Sequence, residues 1–251
     1  MHGLIFIPGI FFLLLFLGEL SLPNVSLRYS YHRWDWLLNI IGFFMQGLVV
    51  PLCGYLIATQ LLPLCLPSMK GLLPLSWWGA FLLNFIGIDF MYYWQHRLFH
   101  NIPWLWNWHR CHHASPRVDV WATARNSIFI NFFFVYLLVN PIVGFLCKNP
   151  SGFFVGATLT ASLDLLRHSQ INWETIPLLR KIIRWMGLIF VVPPQHHRHH
   201  YALLKAANFG ANLIVWDKLF KTYCMRKEPL LTYQDPDAIS PLAQLLYPFK
   251  V

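Results

Sequence analysis

Four stretches of this sequence, residues 4–20, 37–62, 75–95 and 128–147, are apolar for long enough to carry a helix across, or nearly across, the roughly 30 Å hydrocarbon core of a bilayer. The first opens LIFIPGIFFLLLFLGEL; it has no basic leading segment and no small-residue cleavage site, so it is expected to stay in the mature protein. A fifth run, 152–166, is shorter and reads as the return arm of a tight hairpin turning at Lys148, Asn149 and Pro150, with a re-entrant element as the alternative. Composition agrees. The chain is 57% hydrophobic and only 12% charged, about half the charged share of a soluble domain. That excludes disorder, a secreted disulfide scaffold and a soluble multidomain enzyme. The expected fold is an all-α integral membrane protein: four to five membrane helical runs with a cytoplasmic helical cap. It forms one domain over 1–251, with membrane helices in 1–74, a histidine-bearing region in 75–225 and a tail in 226–251.

Lysine and arginine fall almost wholly on one side of such a bundle. With the N-terminus outside, segments 21–36, 96–127 and 167–251 carry 17 of them, and the other side keeps Lys70 and Lys148. The excess marks the cytoplasmic face and requires the fifth run to bring the chain back. A net charge of +9 in so apolar a chain is suited to anionic lipid headgroups, and no nucleic-acid-binding module accompanies it. The five cysteines show no paired metal spacing and imply no disulfide framework.

Twelve histidines stand out, because 10 of them lie between residues 96 and 200. They form three clusters: HRLFH (His96, His100), HRCHH (His109, His112, His113) and HHRHH (His196, His197, His199, His200). Positions i, i+3 and i+4 share a helix face, so each H-x-x-H-H is expected to aim three imidazoles one way. Such repetition points to a metal site. Leaving out His197, the eight imidazoles of these clusters are too many for one ion and suit two. Imidazole accepts zinc, copper, iron and nickel alike, so ligand type does not name the metal. His168, at the end of the fifth run, is added as a ninth ligand. His197 falls off the shared face and is read as a supporting contact, as is Asn172; Cys111 is read as packing, and His2 and His32 as bystanders.

Two carboxylates lie inside apolar runs, where an unpaired charge is costly. Asp89, Tyr93, His96 and His100 are spaced as one helix stripe, and Asp164 precedes His168 by one turn. Metal-bound histidines commonly give their second ring hydrogen to a carboxylate, so Asp89 and Asp164 are expected to hold ligands in place. Asn131 and Asn140, in the fourth run, are pocket candidates. Trp104, Trp106, Trp108, Phe129, Phe132, Phe133 and Phe134 read chiefly as an interfacial belt. Trp216, Asp217 and Thr222 are expected to fold the cap.

The order HRLFH, HRCHH, lone His168, HHRHH resembles the fatty acid hydroxylase and sterol desaturase superfamily of integral-membrane di-iron proteins. NFGANLIVWDKLFKTY (208–223) resembles the stretch after the last histidine box in bacterial sterol-desaturase-like proteins and alkylglycerol monooxygenases. The likeness covers residues 75–225. It implies two iron ions held by His96, His100, His109, His112, His113, His168, His196, His199 and His200. It also implies dioxygen as co-substrate and oxidation of a C–H bond of a lipid such as a sterol, fatty acyl or ether lipid. Hydroxylation is favoured by the branch resembled, with desaturation the alternative; the setting would be a bacterial inner membrane or the endoplasmic reticulum. Zinc is the alternative ion. About 85 residues follow the membrane part, without a haem or flavin fingerprint, so electrons are expected from a separate reductase or small carrier.

Two other classes fit worse. A zinc metalloprotease needs glutamate after the first histidine of H-E-x-x-H, and here Arg97 follows His96. A metal transporter needs ligands near the bilayer midplane, whereas these gather at one edge.

Overall fold

A computed structural model describes residues 3, 6–21, 31–171, 177–200, 207–225 and 240–247. Asn172 and His2 lie outside the described residues. Among those described, the chain is helical throughout, and extended backbone pairs only at the isolated bridges Leu73–Cys147 and Phe190–Leu213.

Helix α1 is Ile7–Leu20, and α2 runs from Arg33 to Cys65. The backbone N–H of His32 donates to the Asp35 carboxylate at 3.0 Å and closes the first turn of α2. Pro51 and Pro63 both sit inside this helix. Each is preceded by a widened π turn, Met45–Val49 and Ile57–Leu61, because a proline ring removes one N–H and crowds the carbonyl a turn earlier. Helix α3 spans 77–101 and starts with Ser76 accepting from the Gly79 N–H at 3.1 Å. It contains a third π turn, Leu83–Ile88, with no proline near it. Helix α4 is Pro103–His113, proline taking the first position where its missing N–H costs nothing. Helices α5 (Val135–Leu146) and α6 (Ser151–His168) follow as a hairpin, the Phe154 ring lying against Gly144. Then come α7 (Pro177–Met186), α8 (Pro193–His199), α9 (Val215–Leu219) and α10 (Pro241–Leu246).

Each of the five apolar runs lies in a helical segment, but the segments are not equivalent. Arg33–Cys65 and Phe129–Leu146 are long and apolar enough to cross a membrane, and Ile7–Leu20 is apolar but shorter. Helices α3 and α6 do not meet that measure, because they bear Asn84, Asp89 and Arg97 on one and Thr160, Asp164 and Arg167 on the other. They pack against each other so closely that a Cβ on Gly152 would stand 2.1 Å from the Trp77 carbonyl oxygen. Ala80, Ile88, Val135 and Phe153 close the core between α3, α5 and α6, and Leu38, Cys111 and Leu245 join α2, α4 and α10. The outer faces invert the soluble pattern. Leu13, Leu14 and Leu17 of α1, Ile40, Phe44, Leu48 and Leu52 of α2, and Leu138 and Ile142 of α5 are all exposed. An apolar surface of that extent is made for hydrocarbon, and the chain is a membrane protein.

Candidate metal centre

Nine histidines from α3, α4, α6 and the α8 turn converge at one end of the bundle. His96, His100, His109, His113 and His199 form one group, and His112, His168, His196 and His200 another; the ligand nitrogens in each lie within 4.8 Å of one another. All are buried except His100, which is half-buried. The division cuts across the sequence clusters. On a helix, i+4 stands about 40° from i on one side, while i+3 stands about 60° away on the other. His109 and His113 accordingly join one group and His112 the other; His196 and His200 stay together while His199 crosses over. The expectation that each H-x-x-H-H aims three imidazoles one way is therefore corrected, since each box straddles two sites. The sites abut: the His113 and His200 ring centroids are 4.4 Å apart.

Backbone carbonyls fix which ring nitrogen faces inward. The Nδ1 of His96 lies 2.9 Å from the Phe209 carbonyl oxygen, that of His112 3.2 Å from Arg125, that of His168 2.8 Å from Asp164 and that of His199 2.8 Å from Ala207. A carbonyl can only accept, so each Nδ1 carries a hydrogen and Nε2 is the atom each ring turns to the centre. Burial holds His109, His112, His113, His196, His199 and His200 below the ordinary imidazole value, His112 at about 3 and His199 at about 4. They are neutral ligands, as metal binding requires.

The Nε2 atoms of His112 and His168 stand 3.4 Å apart. With the Nδ1 hydrogens turned outward to carbonyls, a cation between these two inward-facing atoms would satisfy both. Two nitrogens at right angles, each about 2.1 Å from an ion, would be about 3 Å apart. The Nε2 separations of 3.0 Å (His96–His109), 3.2 Å (His109–His113), 2.9 Å (His168–His196) and 3.1 Å (His196–His200) have that size. Nδ1 of His109, Nδ1 of His196 and Nε2 of both His100 and His199 lack partners. The residues present thus fit two metal ions, and each group could hold one.

The second layer departs from expectation in one place. Asp164 stands where it was sought, its carboxylate 3.1 Å from Nδ1 of His168 and 2.6 Å from the Arg167 guanidinium. Asp89 instead accepts from the Asn212 and Leu213 N–H groups at 2.7 and 3.1 Å and from the Trp216 indole at 2.8 Å. Its carboxylate is committed to the loop that caps the site, because the helix stripe carries it below the imidazoles to the level of that loop. Asp217 accepts from the Phe209 and Gly210 N–H groups and from Thr222, so Trp216, Asp217 and Thr222 fasten the loop beside the histidines. Asn208 takes the left-handed conformation at φ 57°, to which asparagine is suited, and donates to the carbonyls of Gln195 and Cys224. His197 joins neither group, its Nε2 lying 3.2 Å from the His168 carbonyl. Cys111 is packed in the core and His32 caps α2.

Sequence reasoning missed Arg125. Fully buried, it donates to Asp35, Gln244 and the Cys111 carbonyl, and its own carbonyl orients His112. It could be counted only as one more arginine in a basic loop, since burial of a charge by residues about 90 positions away leaves no local signal.

A cavity of about 230 Å³ opens beside the histidines, touching His109 of one group and His112, His168 and His196 of the other. It runs between the membrane helices past Val50, Tyr92, Phe134 and Ala161, and both Asn131 and Asn140 line it. Of the aromatic belt residues, Trp104, Phe132 and Phe133 are exposed. Phe134 lines the cavity instead, and Trp106 packs on His100 and His113.

Paired histidine groups buried at the end of an apolar helical bundle, with a cavity leading to both, define a membrane protein whose histidine clusters could hold metal. The chain belongs to the fatty acid hydroxylase family, whose model matches residues 81–222 and so takes in all nine histidines. It is 30% identical over 161 residues to an alkylglycerol monooxygenase of Xenopus tropicalis, covering 63% of this chain and 32% of that one. An ornithine lipid hydroxylase of Rhizobium tropici is 32% identical over 184 residues, covering 70% of this chain and 53% of its own. A cholesterol 25-hydroxylase-like protein of Danio rerio is 30% identical over 165 residues, covering 62% and 59%. The chain therefore spans about a third to somewhat over half the length of these relatives. No solved structure matches it significantly.

Proposed function

We propose that the chain is a dioxygen-dependent lipid hydroxylase with two iron ions. The observation that carries this is the convergence of nine histidines into two adjoining groups whose ligand nitrogens lie within 4.8 Å of one another in each. His96, His100, His109, His113 and His199 would hold one ion, and His112, His168, His196 and His200 the other. When bound, the irons would supply the activation of dioxygen and the oxidation of a C–H bond. The chain's own residues do the rest. The carbonyls of Phe209, Arg125, Asp164 and Ala207 keep a hydrogen on Nδ1 and turn Nε2 to the centre. Asp89 and Asp217 fasten the loop that supplies Ala207 and Phe209. Val50, Phe134, Ala157 and Ala161 wall the cavity so that a lipid chain reaches the site without entering water.

The names of the relatives, monooxygenase and hydroxylase, favour hydroxylation over desaturation. The five apolar runs support four to five membrane passages, and the 17-to-2 division of basic residues supports placing the histidines at the cytoplasmic edge. Helix α7 supports that edge: Leu178, Ile182 and Trp185 are exposed on one face, with Arg180, Lys181 and Arg184 around them, the pattern of a helix lying in a membrane interface. A separate reductase or small electron carrier would dock on this basic side.

The test is elemental analysis of detergent-purified protein from iron-rich culture, with product analysis under isotopically labelled dioxygen and added reductant. Close to two irons per chain and one labelled oxygen atom in a lipid product are expected. Stoichiometric zinc, or no metal, would overturn the reading.

A further inference from the structure

The cavity beside the histidines is not lined as a plain hydrocarbon slot. Three of the residues that line it each carry a buried side-chain oxygen with no hydrogen-bond partner: Oδ1 of Asn131, Oδ1 of Asn126 and the Tyr136 hydroxyl. Asn131 is 1% exposed, and its amide nitrogen is already engaged, donating to the carbonyls of Ser127 and Ile128 at 2.9 and 3.2 Å. Those bonds hold the side chain so that the oxygen alone is left over. Tyr136 is fixed by stacking on Tyr92, the ring centroids 5.3 Å apart and the planes 19° from parallel. A buried polar atom left unsatisfied costs about 1–3 kcal/mol, and chains rarely carry several around one space without a ligand or water to answer them. These two amide oxygens and the hydroxyl have one hydrogen to give between them, and Arg167, which also lines the space, adds one unpartnered donor, its Nε; acceptors outnumber donors, so the group the wall fits best is one that donates.

We propose that this wall binds a hydrogen-bond-donating group of the lipid, a hydroxyl or an amide N–H, and that Asn131 and Tyr136 thereby fix which carbon faces the histidines. The inference deepens the proposed lipid reaction and rests on the cavity being the substrate's place. A hydrocarbon chain alone would leave all three oxygens unanswered. A lipid with a donor at that depth supplies the missing bonds, while the rest of the chain lies along Val50, Phe134, Ala157 and Ala161.

The test uses a matched pair of probes, 1-O-hexadecylglycerol and its di-O-methyl ether, which keeps the oxygens and loses both donors. Binding to the purified, iron-loaded full chain is followed by tryptophan fluorescence, for the wild type, Asn131→Leu and Tyr136→Phe, with iron per chain measured on each sample. The diol is expected to bind about tenfold more tightly than the ether. Each substitution should shrink that preference severalfold at unchanged iron content. Equal binding of the two probes by the wild type, or a preference that survives both substitutions, would overturn the proposal. If neither probe binds, the lipid-substrate reading itself fails and this inference fails with it.

Discussion

Asp89 gives the sharpest test of how the cap holds the ligands. One carboxylate oxygen accepts from the Asn212 N–H, and the other from the Leu213 N–H and the Trp216 indole. All three partners are donors, and the two carboxylate oxygens accept from all of them. Asp89→Asn replaces one oxygen by an NH₂. In its better orientation the amide keeps the Leu213 and Trp216 bonds, loses the Asn212 bond and sets donor against donor. A buried hydrogen bond to a charged group is worth about 1.5–3 kcal/mol, and the opposed donor adds to the loss, so about 3 kcal/mol is expected. For a chain of this size that is roughly 6–12 °C in the thermal midpoint. The loop bears the carbonyls that hold His96 and His199, so the five-histidine group should also lose its ion first. Thermal unfolding by tryptophan fluorescence in detergent, with metal per chain on the same samples, measures both. A midpoint within about 2 °C of the wild type and full metal content would refute the argument.

His199→Ala should halve the metal content by emptying the five-histidine group, and His112→Ala should do so by emptying the other; a variant that loses neither ion or both would contradict separate sites. Because His112 and His199 are held by burial at about 3 and about 4, below the ordinary 6.5, the unfolded chain takes up protons before the folded one. Metal-free protein should therefore lose stability as pH falls from about 6.5 toward 4 and none of it above about pH 7; a midpoint that rises on acidification would refute this. Gly152→Ala, forced against the Trp77 carbonyl, should cost about 1–3 kcal/mol. Gly47→Ala, with open space around it, should be neutral or slightly stabilising; paired thermal melts check the difference.

The helices were legible because hydrophobic runs report their own length, although polar residues in α3 and α6 separated those two from the apolar spans. The nine histidines were legible because three dense clusters and His168 share an edge, and Asp164 because it sits one turn from its partner. Their division into five and four was not, since it depends on which side of a ring another element supplies. Asp89 was found for the right reason, a charge at membrane depth, yet assigned the wrong partner, because Asn212 lies 123 residues away. The carbonyls at 125, 207 and 209 leave no trace in a sequence at all, being common to every residue.

The π turn Leu83–Ile88 stands just before Asp89, Tyr93, His96 and His100. Such a turn is an α-helix that has absorbed one extra residue while the flanking segments keep their faces. Removing one residue inside 83–88 would restore a regular helix and leave the histidines aimed as they are. The same removal between Asp89 and His96 would swing Asp89 and all that precedes it by about 100° relative to the ligands, parting the helix from its cap. Length can therefore change on one side of this boundary and not on the other.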